Sequence, residues 1–267
     1  MLRIDIRSTA AEPHIMHGVK EQELDLWTAT VVQHHRLRED LAVIRLEGEF
    51  VPFAAGQSVG VIVPQNPNVG RRYSPALPPS LDGKLEFHVR AVPAGWLSRA
   101  IVTDTVVGDE WQIAPASGRL AVDRDAREVI MVAGGTGLAP LRAIILDLTR
   151  RPNPPQVFLF VGGRHPRDLY ASDMLWLLDE QLDWLTVIPV VEEIHDPAWP
   201  DEWYERVRGA PAYGDDHFIQ GTLAEVVSSY GAYVDHQVLV VGSPGMVRST
   251  VRALVDSGTP AGSIQVG

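Results

Sequence analysis

The chain has 267 residues, of which 34 are acidic and 23 basic, and it contains no cysteine. The absence of cysteine excludes disulfides, thiolate nucleophiles and any iron–sulfur or zinc site built on cysteine ligands, and the formal net charge of −11 argues against a nucleic-acid partner, since phosphate binding requires basic surface. The N-terminus lacks the apolar core of a signal peptide and no apolar run approaches the roughly 18 residues of a membrane span, so we expect a cytoplasmic protein with no membrane span.

The first part of the chain changes character near Trp27. Residues 1–26 are polar without a hydrophobic period, which is typical of a tail or linker; their His14 and His17 have no third ligand nearby, so we predict no metal site. After them, short segments rich in valine, isoleucine and aromatic residues are separated by glycine, proline and aspartate. This spacing predicts a small antiparallel barrel or sandwich, with strands in TATVVQHH, LAVIRLEG, QSVGVIVP, KLEFHVRAV and DEWQIAP.

Ser58 lies in a stretch, Gly56 to Gly60, that matches the G-x-S-x-G pattern of a hydrolase nucleophile. That pattern places the serine between a strand and a helix. Here a second strand follows Ser58, so we exclude a hydrolase that uses it.

Two adjacent arginines lie between the predicted strands of the β region. Arg71 and Arg72 can pair bidentately with phosphate, and Tyr73 and Ser74 add an aromatic face and a hydroxyl. The combination suits a ligand with both phosphates and a flat ring. The alternative is a surface loop with a half-buried tyrosine.

The β region contains one predicted helix, which begins at Gly95-Trp96-Leu97-Ser98. The backbone N–H groups of its first turn and the Ser98 hydroxyl offer a second place for phosphate oxygens. Alternatively, the helix only plugs an open end of the barrel.

A glycine turn connects the β region to the rest of the chain. Residues 129–133 suit a buried strand, and they are followed by Gly134-Gly135-Thr136-Gly137 and by an apolar helical run from Leu138 or soon after, with Pro140 in its first turn. A helix N-terminus offers unpaired N–H groups, and glycine permits close approach, so this turn can receive a pyrophosphate. Its spacing is not that of the Rossmann fingerprint, and a plain connection is the alternative.

Strands and helices alternate after residue 123. Apolar strands VFLFVGG, WLTVIPVV, HFIQG and QVLVVGS follow the first one and are separated by helical stretches, which predicts a parallel five-stranded sheet covered by helices. Three loop tips, at residues 134–136, 162–164 and 242–244, lie at the carboxyl ends of strands, where such sheets bind ligands. We therefore predict two domains, at residues 27–123 and 124–267.

Six motifs occur in a characteristic order: R-x-Y-S at 71–74, G-x-x-S at 95–98, GDEWQIAPASG at 108–118, GGTGLAP at 134–140, GGRHPRDLY at 162–170 and VGSPGMV at 241–247. In this order they resemble the ferredoxin–NADP reductase superfamily, especially the FAD/NAD modules of flavohaemoglobins and oxygenase reductases, over residues 27–264. The resemblance implies a six-stranded flavin-binding barrel followed by a pyridine-nucleotide domain.

The resemblance also implies a role for each motif. Arg71 would contact the flavin phosphates, Ser74 would position the flavin ring and Thr136 the nicotinamide, and no residue is required as a general acid. The residues expected to bind FAD are Arg71, Arg72, Tyr73, Ser74, Gly95, Trp96, Leu97 and Ser98. Those expected to bind NADH or NADPH are Gly134, Gly135, Thr136, Gly137, Pro140, Arg164, Gly242, Ser243, Pro244 and Met246.

The implied activity is an NAD(P)H-dependent flavin oxidoreductase. It takes a hydride from NADH or NADPH onto FAD and passes electrons to a haem, iron–sulfur or oxygenase partner, to an upstream haem domain or to a small acceptor. The choice between NADPH and NADH depends on the 2′-phosphate of NADPH. Arg164, His165 and Arg167 could receive this phosphate, whereas Asp168 would disfavour it. The motif resembles that of NADH-using members of the family.

Two departures from the family pattern motivate a second interpretation. Many relatives have cysteine where this chain has Val241, and the family often ends in an aromatic residue that covers the flavin, whereas this sequence ends Ser263-Ile-Gln-Val-Gly. A flavin- and nucleotide-binding regulatory subunit without hydride transfer is therefore the alternative.

Overall fold

A computed structural model of the chain describes residues 5–7, 25–93, 95–196 and 218–267. The described residues fall into two compact units. The first lies within Met1–Ala121 and Ala139–Arg150, and the second within Val122–Leu138 and Arg151–Gly267.

The first unit is built on one strongly curled sheet. Its strands are β1 (Asp5–Arg7), β2 (Trp27–Arg38), β3 (Leu41–Gly48), β4 (Ser58–Val63), β5 (Asn66–Tyr73), β6 (Leu85–Arg90) and β7 (Glu110–Ser117), with helix α1 (Trp96–Thr103) between β6 and β7. The spatial order is β1-β5-β4-β7-β2-β3-β6. Strands β2 to β7 pair antiparallel, as predicted, and β1 adds a short parallel strand beside β5. Among the described residues, no backbone pairing joins β5 to β6.

The concave side of this sheet holds the core of the first unit. Phe87 stacks on Trp111 with ring centroids 6.1 Å apart, and valine, leucine and isoleucine side chains from β2, β3, β4 and α1 surround the two rings. Burial of each such side chain contributes roughly 1.5–3 kcal/mol, so this apolar core stabilises the curled sheet.

Strand β5 was missed by the sequence prediction, which placed residues 70–74 between strands. In the structure Arg71 lies opposite Val61 and Tyr73 opposite Val59 in an antiparallel pair with β4. Asparagine, proline and glycine in the segment Asn66–Gly70 are typical of turns, so the sequence predicted a loop where the structure has a strand. The consequence is that the side chains of Arg71, Arg72 and Tyr73 alternate across a pleated strand.

The second unit is a parallel sheet of six strands, one more than predicted. Its strands are β8 (Glu128–Gly134), β9 (Gln156–Gly163), β10 (Leu185–Val191), β11 (Ile219–Gln220), β12 (Gln237–Val241) and β13 (Ile264–Val266), in the order β11-β10-β9-β8-β12-β13. The additional strand β13 pairs with β12. Three residues at the end of the sequence carry no periodicity, so the prediction did not include it.

Helices lie between these strands as predicted. They are α2 (Leu138–Leu148), α3 (Ser172–Gln181), α4 (Leu223–Ser229) and α5 (Pro244–Asp256), and short 3-10 turns cover Gly135–Gly137, Pro166–Asp168 and Ala261–Ser263. Helix α4 begins at a capping box, in which Thr222 and Glu225 satisfy each other's backbone N–H groups. None of the described helices combines the length and apolarity needed to cross a membrane.

Candidate functional site

The two adjacent arginines of β5 have different surroundings. Arg71 donates from Nη1 to the carbonyl of Gly70 at 3.0 Å, and its guanidinium has no other hydrogen bond among the described residues. Arg72 donates from Nε to Ser58 Oγ at 3.0 Å and from Nη2 to the carbonyls of Ser58 and Pro115. Burial lowers the pKa of Arg72. Arg72 thus links β5 to β4 and β7, whereas the remaining N–H donors of Arg71 make no hydrogen bond to the described residues.

Ser58, which matched the nucleophile pattern, is part of this fastening. It accepts the hydrogen bond from Arg72 and lies at the start of β4, with its Oγ 3.4 Å from the carbonyl of Ser117. This agrees with the exclusion of a hydrolase made from the sequence.

Tyr73 ends β5 beside the aromatic core. Its ring meets Phe87 edge-on, with centroids 6.5 Å apart. Burial raises the pKa of Tyr73 to about 12, and the positive charge of Arg71 opposes this rise, so Arg71 lies close to the phenol. Ser74 follows directly after the strand and is half-buried. A guanidinium, a phenol and a hydroxyl therefore come together at the end of β5.

Gly95 forms a tight turn before helix α1. Its N–H donates to the carbonyl of Val92 at 2.9 Å, and a Cβ at this position would lie 2.6 Å from Ser98 Oγ. Ser98 donates from Oγ to the Gly95 carbonyl at 2.8 Å and accepts from the Val92 N–H at 3.2 Å. The Ser98 hydroxyl therefore closes the turn before α1. The Leu97 side chain is buried in the core, and Trp96 is 46% exposed.

The glycine turn after β8 depends on close backbone packing. Gly135 has a φ of 55°, in the region that favours glycine. A Cβ on Gly137 would lie 2.6 Å from the carbonyl carbon of Val241, and one on Gly134 would lie 2.6 Å from Met246 Cε. Thr136 is half-buried in this turn, and α2 starts immediately after it, with the buried Pro140 in its first turn as predicted.

Three loop tips meet at one edge of the second sheet, as predicted. Strands β9, β8 and β12 are parallel neighbours, and the register aligns Gly134 with Gly162 and Ala133 with Val241. The tip after β12 begins α5: Ser243 caps the helix by accepting from the Met246 N–H at 3.3 Å, and Pro244 is the first helical residue. The N-termini of helices α2 and α5 therefore lie at this edge of the sheet.

The tip after β9 carries Arg164, whose guanidinium is paired. Nε and Nη2 of Arg164 both donate to Glu193 Oε1, at 3.1 and 3.0 Å, and both side chains are largely exposed. Asp168 accepts from the His165 N–H at 3.1 Å and closes the 3-10 turn. Glu193 therefore supplies Arg164 with an acidic partner at this tip.

One buried charged cluster was not predicted at all. Glu86 on β6 is 3% exposed, and its carboxylate accepts from Arg45 Nε at 2.6 Å and from Arg142 Nη1 at 2.7 Å. The Nε2 atom of His88 lies 3.0 Å from Oε1 of the same carboxylate. Burial alone would raise the pKa of Glu86, but the His88 hydrogen bond and the two guanidiniums outweigh it and lower the pKa to about 2. Burial lowers the pKa of His88 despite Glu86. In the sequence, KLEFHVR shows only strand alternation, which is typical of a polar outer face.

Among the described ranges, no three histidine, aspartate or glutamate side chains come together in a group that could hold a metal ion.

Comparisons with known proteins match both units. The family model of the oxidoreductase FAD-binding domain matches residues 28–121, and that of the oxidoreductase NAD-binding domain matches residues 131–252. The electron transfer component XylA of the xylene/toluene monooxygenase of Pseudomonas putida is 30% identical over 240 residues, which cover 86% of this chain and 62% of that protein. This chain therefore spans less than two thirds of XylA.

Two further relatives match over most of this chain. Reductase component 2 of terephthalate 1,2-dioxygenase from Comamonas sp is 30% identical over 259 residues, covering 94% of this chain and 71% of that protein. The solved structure of the Amycolatopsis cytochrome P450 reductase GcoB is 27% identical, with a TM-score of 0.73, over 91% of this chain and 69% of that one. Together with the two family models, these matches show that the chain belongs to the ferredoxin–NADP reductase superfamily, as an oxidoreductase with an FAD-binding domain followed by an NAD-binding domain.

Proposed function

We propose that this chain is the electron-input module of an oxygenase or related redox system: it oxidises NADH or NADPH through bound FAD and delivers the electrons to a separate acceptor. The observation that carries the proposal is that each of the two domains matched by a family model has a candidate phosphate-binding site. One is formed by Arg71 and the Gly95 turn, and the other by the Gly134–Gly137 turn.

The first unit fits FAD on three grounds. Arg71 has unused N–H donors for phosphate, and charge-assisted hydrogen bonds of this kind are short and strong. The Gly95 turn has no room for a Cβ, so it requires glycine, and the N–H groups at the start of α1, directly after it, would receive a second phosphate. A pyrophosphate needs both sites, so the pair favours FAD over a flavin with a single phosphate. Tyr73 and Ser74 lie where the flat ring of the flavin would continue from the Arg71 contact.

The second unit fits a pyridine dinucleotide. Three of the four turn residues, Gly134, Gly135 and Gly137, have no side chain, which permits close approach of a pyrophosphate. The N-termini of α2 and α5 both give partial positive charge at the same sheet edge. Thr136, beside this turn, would orient the nicotinamide, and Met246 would line its far side.

The chemistry of the reaction belongs to the cofactor: FAD, when bound, accepts a hydride from the nicotinamide and gives up electrons to the acceptor. The residues of this chain bind and orient the two ligands, because hydride transfer requires the rings to be held in contact distance. No side chain needs to supply or remove a proton in the hydride step.

We expect NADH to be the preferred coenzyme. Arg164 could meet a 2′-phosphate, but Glu193 already engages it through two hydrogen bonds, and a phosphate at the same place would meet the Glu193 carboxylate. Asp168 adds a second negative charge near the tip.

The electron acceptor is proposed to be a cytoplasmic haem, iron–sulfur or oxygenase protein. The relatives described above are named as reductase or electron transfer components of oxygenases. This chain has no cysteine for an iron–sulfur cluster, so electrons must pass to another protein, another domain or a small acceptor.

A flavin-binding regulatory subunit without hydride transfer is the second candidate, and Val241 favours it. Val241 is buried at the end of β12, where many relatives have a cysteine. Valine fills the space without a polarisable thiol.

One anaerobic titration separates the two candidates. The visible spectrum of the protein with FAD is recorded before and after NADH is added, and in a parallel sample before and after NADPH. The proposed function predicts rapid bleaching by NADH and slower bleaching by NADPH. A flavin spectrum that persists with both nucleotides would establish the regulatory alternative, and failure to take up FAD would refute both.

A further inference from the structure

The cluster around Glu86 lies on the face of β6 that points away from the aromatic core. Phe87 packs into the core, and Glu86 and His88, its neighbours on either side, therefore point to the opposite face. Arg142, on helix α2, covers this face, and its side chain is only 13% exposed. All of these residues, Arg142 included, belong to the first unit.

Arg142 does more than neutralise Glu86. Its Nη1 also donates to the carbonyl of Ala76 at 2.8 Å. The N–H of Ala76 donates in turn to the backbone carbonyl of Glu86 at 2.7 Å. Both hydrogen-bonding groups of the Ala76 backbone are therefore fixed by this cluster, and Ala76 itself is fully buried.

Ala76 lies two residues after Ser74, at the end of the segment that begins with Arg71. The connecting residue is Pro75, whose ring fixes φ and removes a donor, so the position of Ser74 is closely tied to that of Ala76. Arg45 is the matched contrast: it contacts the same carboxylate from β3, with a side chain 53% exposed, and its second hydrogen bond goes to Gln33 rather than to the Ser74–Ala76 segment.

We infer that Arg142 is a positioning residue for the flavin: through its paired contacts with Glu86 and the Ala76 carbonyl, it holds the Ser74–Ala76 segment in the conformation that receives the flavin ring. This inference rests on the proposed function of the first unit. It assigns Arg142, a residue of the helix that follows the glycine turn, to the flavin site rather than to the nucleotide site.

The test compares Arg142→Met with Arg45→Met. Each variant removes one guanidinium from Glu86, and only the first removes the donor to Ala76. FAD binding to the apoprotein is measured by quenching of flavin fluorescence, and folding is checked by far-ultraviolet circular dichroism. We expect the FAD dissociation constant to rise about tenfold in Arg142→Met, the equivalent of one lost charge-assisted hydrogen bond, and to change less than twofold in Arg45→Met.

The rate of flavin reduction by NADH provides a second measurement. At saturating FAD and NADH, the rate of flavin bleaching should fall about tenfold in Arg142→Met, because a displaced ring is costly in hydride transfer. The NADH concentration that gives half the maximal rate should stay within twofold of the wild type.

Arg142→Lys keeps a positive charge opposite Glu86, but the shorter lysine side chain ends before the position of Nη1, the one nitrogen that contacts both Glu86 Oε1 and the Ala76 carbonyl. This variant decides the question if Arg142→Met does not fold. We expect Arg142→Lys to show the same loss of FAD affinity. Equal FAD affinities in the wild type and in the folded Arg142 variants, or equal losses in the Arg142 and Arg45 variants, would overturn the inference while leaving the proposed function intact. A wild-type protein that binds no FAD would overturn the proposed function and the inference together.

Discussion

Arg71 and Arg72 are adjacent in sequence and have side chains on opposite faces of β5. The pleat of the strand separates them: Arg72 donates to Ser58 and to the carbonyl of Pro115, whereas the hydrogen bond of the Arg71 guanidinium among the described residues goes to the carbonyl of Gly70. We therefore expect Arg72 to stabilise the sheet, and we propose that Arg71 contributes to ligand affinity.

This difference predicts opposite outcomes for two alanine variants. Arg71→Ala should weaken FAD binding by about 2 kcal/mol with little change in the stability of the apoprotein, because only a contact to the ligand is lost. Arg72→Ala should lower the free energy of unfolding by about 1–2 kcal/mol, because partly buried carbonyls lose their donor. Urea denaturation of the apoprotein and FAD titration measure the two quantities. Equal effects of both variants on FAD affinity would contradict the assignment.

The sequence could identify the pair of arginines but not divide the roles between them. The motif was recognisable because guanidinium, phenol and hydroxyl stand together in four residues. Which of the two guanidiniums hydrogen-bonds to neighbouring strands depends on the strand register. The register could not be predicted, because the turn-forming residues of β5 did not indicate a strand. Glu86 was still harder to find, since a carboxylate in an alternating strand is normally solvated, whereas here it is buried in contact with Arg45, His88 and Arg142.

At the scale of elements, the turn from β8 into α2 is the best-predicted part of the chain. Strand, glycines and helix follow one another directly, so local sequence is sufficient to identify them. Strand β13 is the opposite case: its three residues become a strand only because β12 offers an unpaired edge, and that information lies in the tertiary structure.

Gly137 in the glycine turn is required for steric reasons, because the neighbouring backbone leaves no room for a Cβ. In Gly137→Ala the new Cβ would meet the backbone of Val241 and Gly242, which cannot move aside as a flexible side chain would. We expect a loss of about 1–3 kcal/mol of stability together with weaker nucleotide binding. Gly262→Ala is the control, because a Cβ there has no neighbour within 4 Å. Thermal unfolding of both variants and an NADH titration check this. A Gly137→Ala protein as stable as the control would show that the close approach is not required.

At the scale of the whole molecule, the Glu86 cluster makes stability depend on pH. The folded-state pKa of Glu86 is about 2, below its ordinary value of 4.5, so its stabilising contribution is present above about pH 4.5 and is lost as the pH falls towards 2. The pKa of His88 is also lowered on folding, from 6.5, so its contribution is likewise present above pH 6.5 and declines below it. Both groups therefore act in the same direction, and acid should destabilise the fold from about pH 6.5 downwards.

Glu86→Gln tests this coupling because it keeps the shape of the side chain and removes its charge. Near pH 7 we expect the variant apoprotein to be less stable than the wild type by about 3 kcal/mol, since two guanidiniums lose their carboxylate partner. The difference should narrow as the pH falls from about 4.5 towards 2, because the unfolded wild-type chain binds a proton at Glu86 over this range and the folded protein does so only near pH 2. Urea denaturation at several pH values measures this difference in stability, and Asp82→Asn is the control. The pKa of Asp82 is also lowered to about 2, through hydrogen bonds from Lys84 and Ser80. Asp82 lies exposed at the surface, however, where solvent screens its interaction with Lys84. The control should therefore differ little from the wild type at any pH. A stability gap for Glu86→Gln that does not change with pH would mean that packing, and not charge, makes this residue important to the fold.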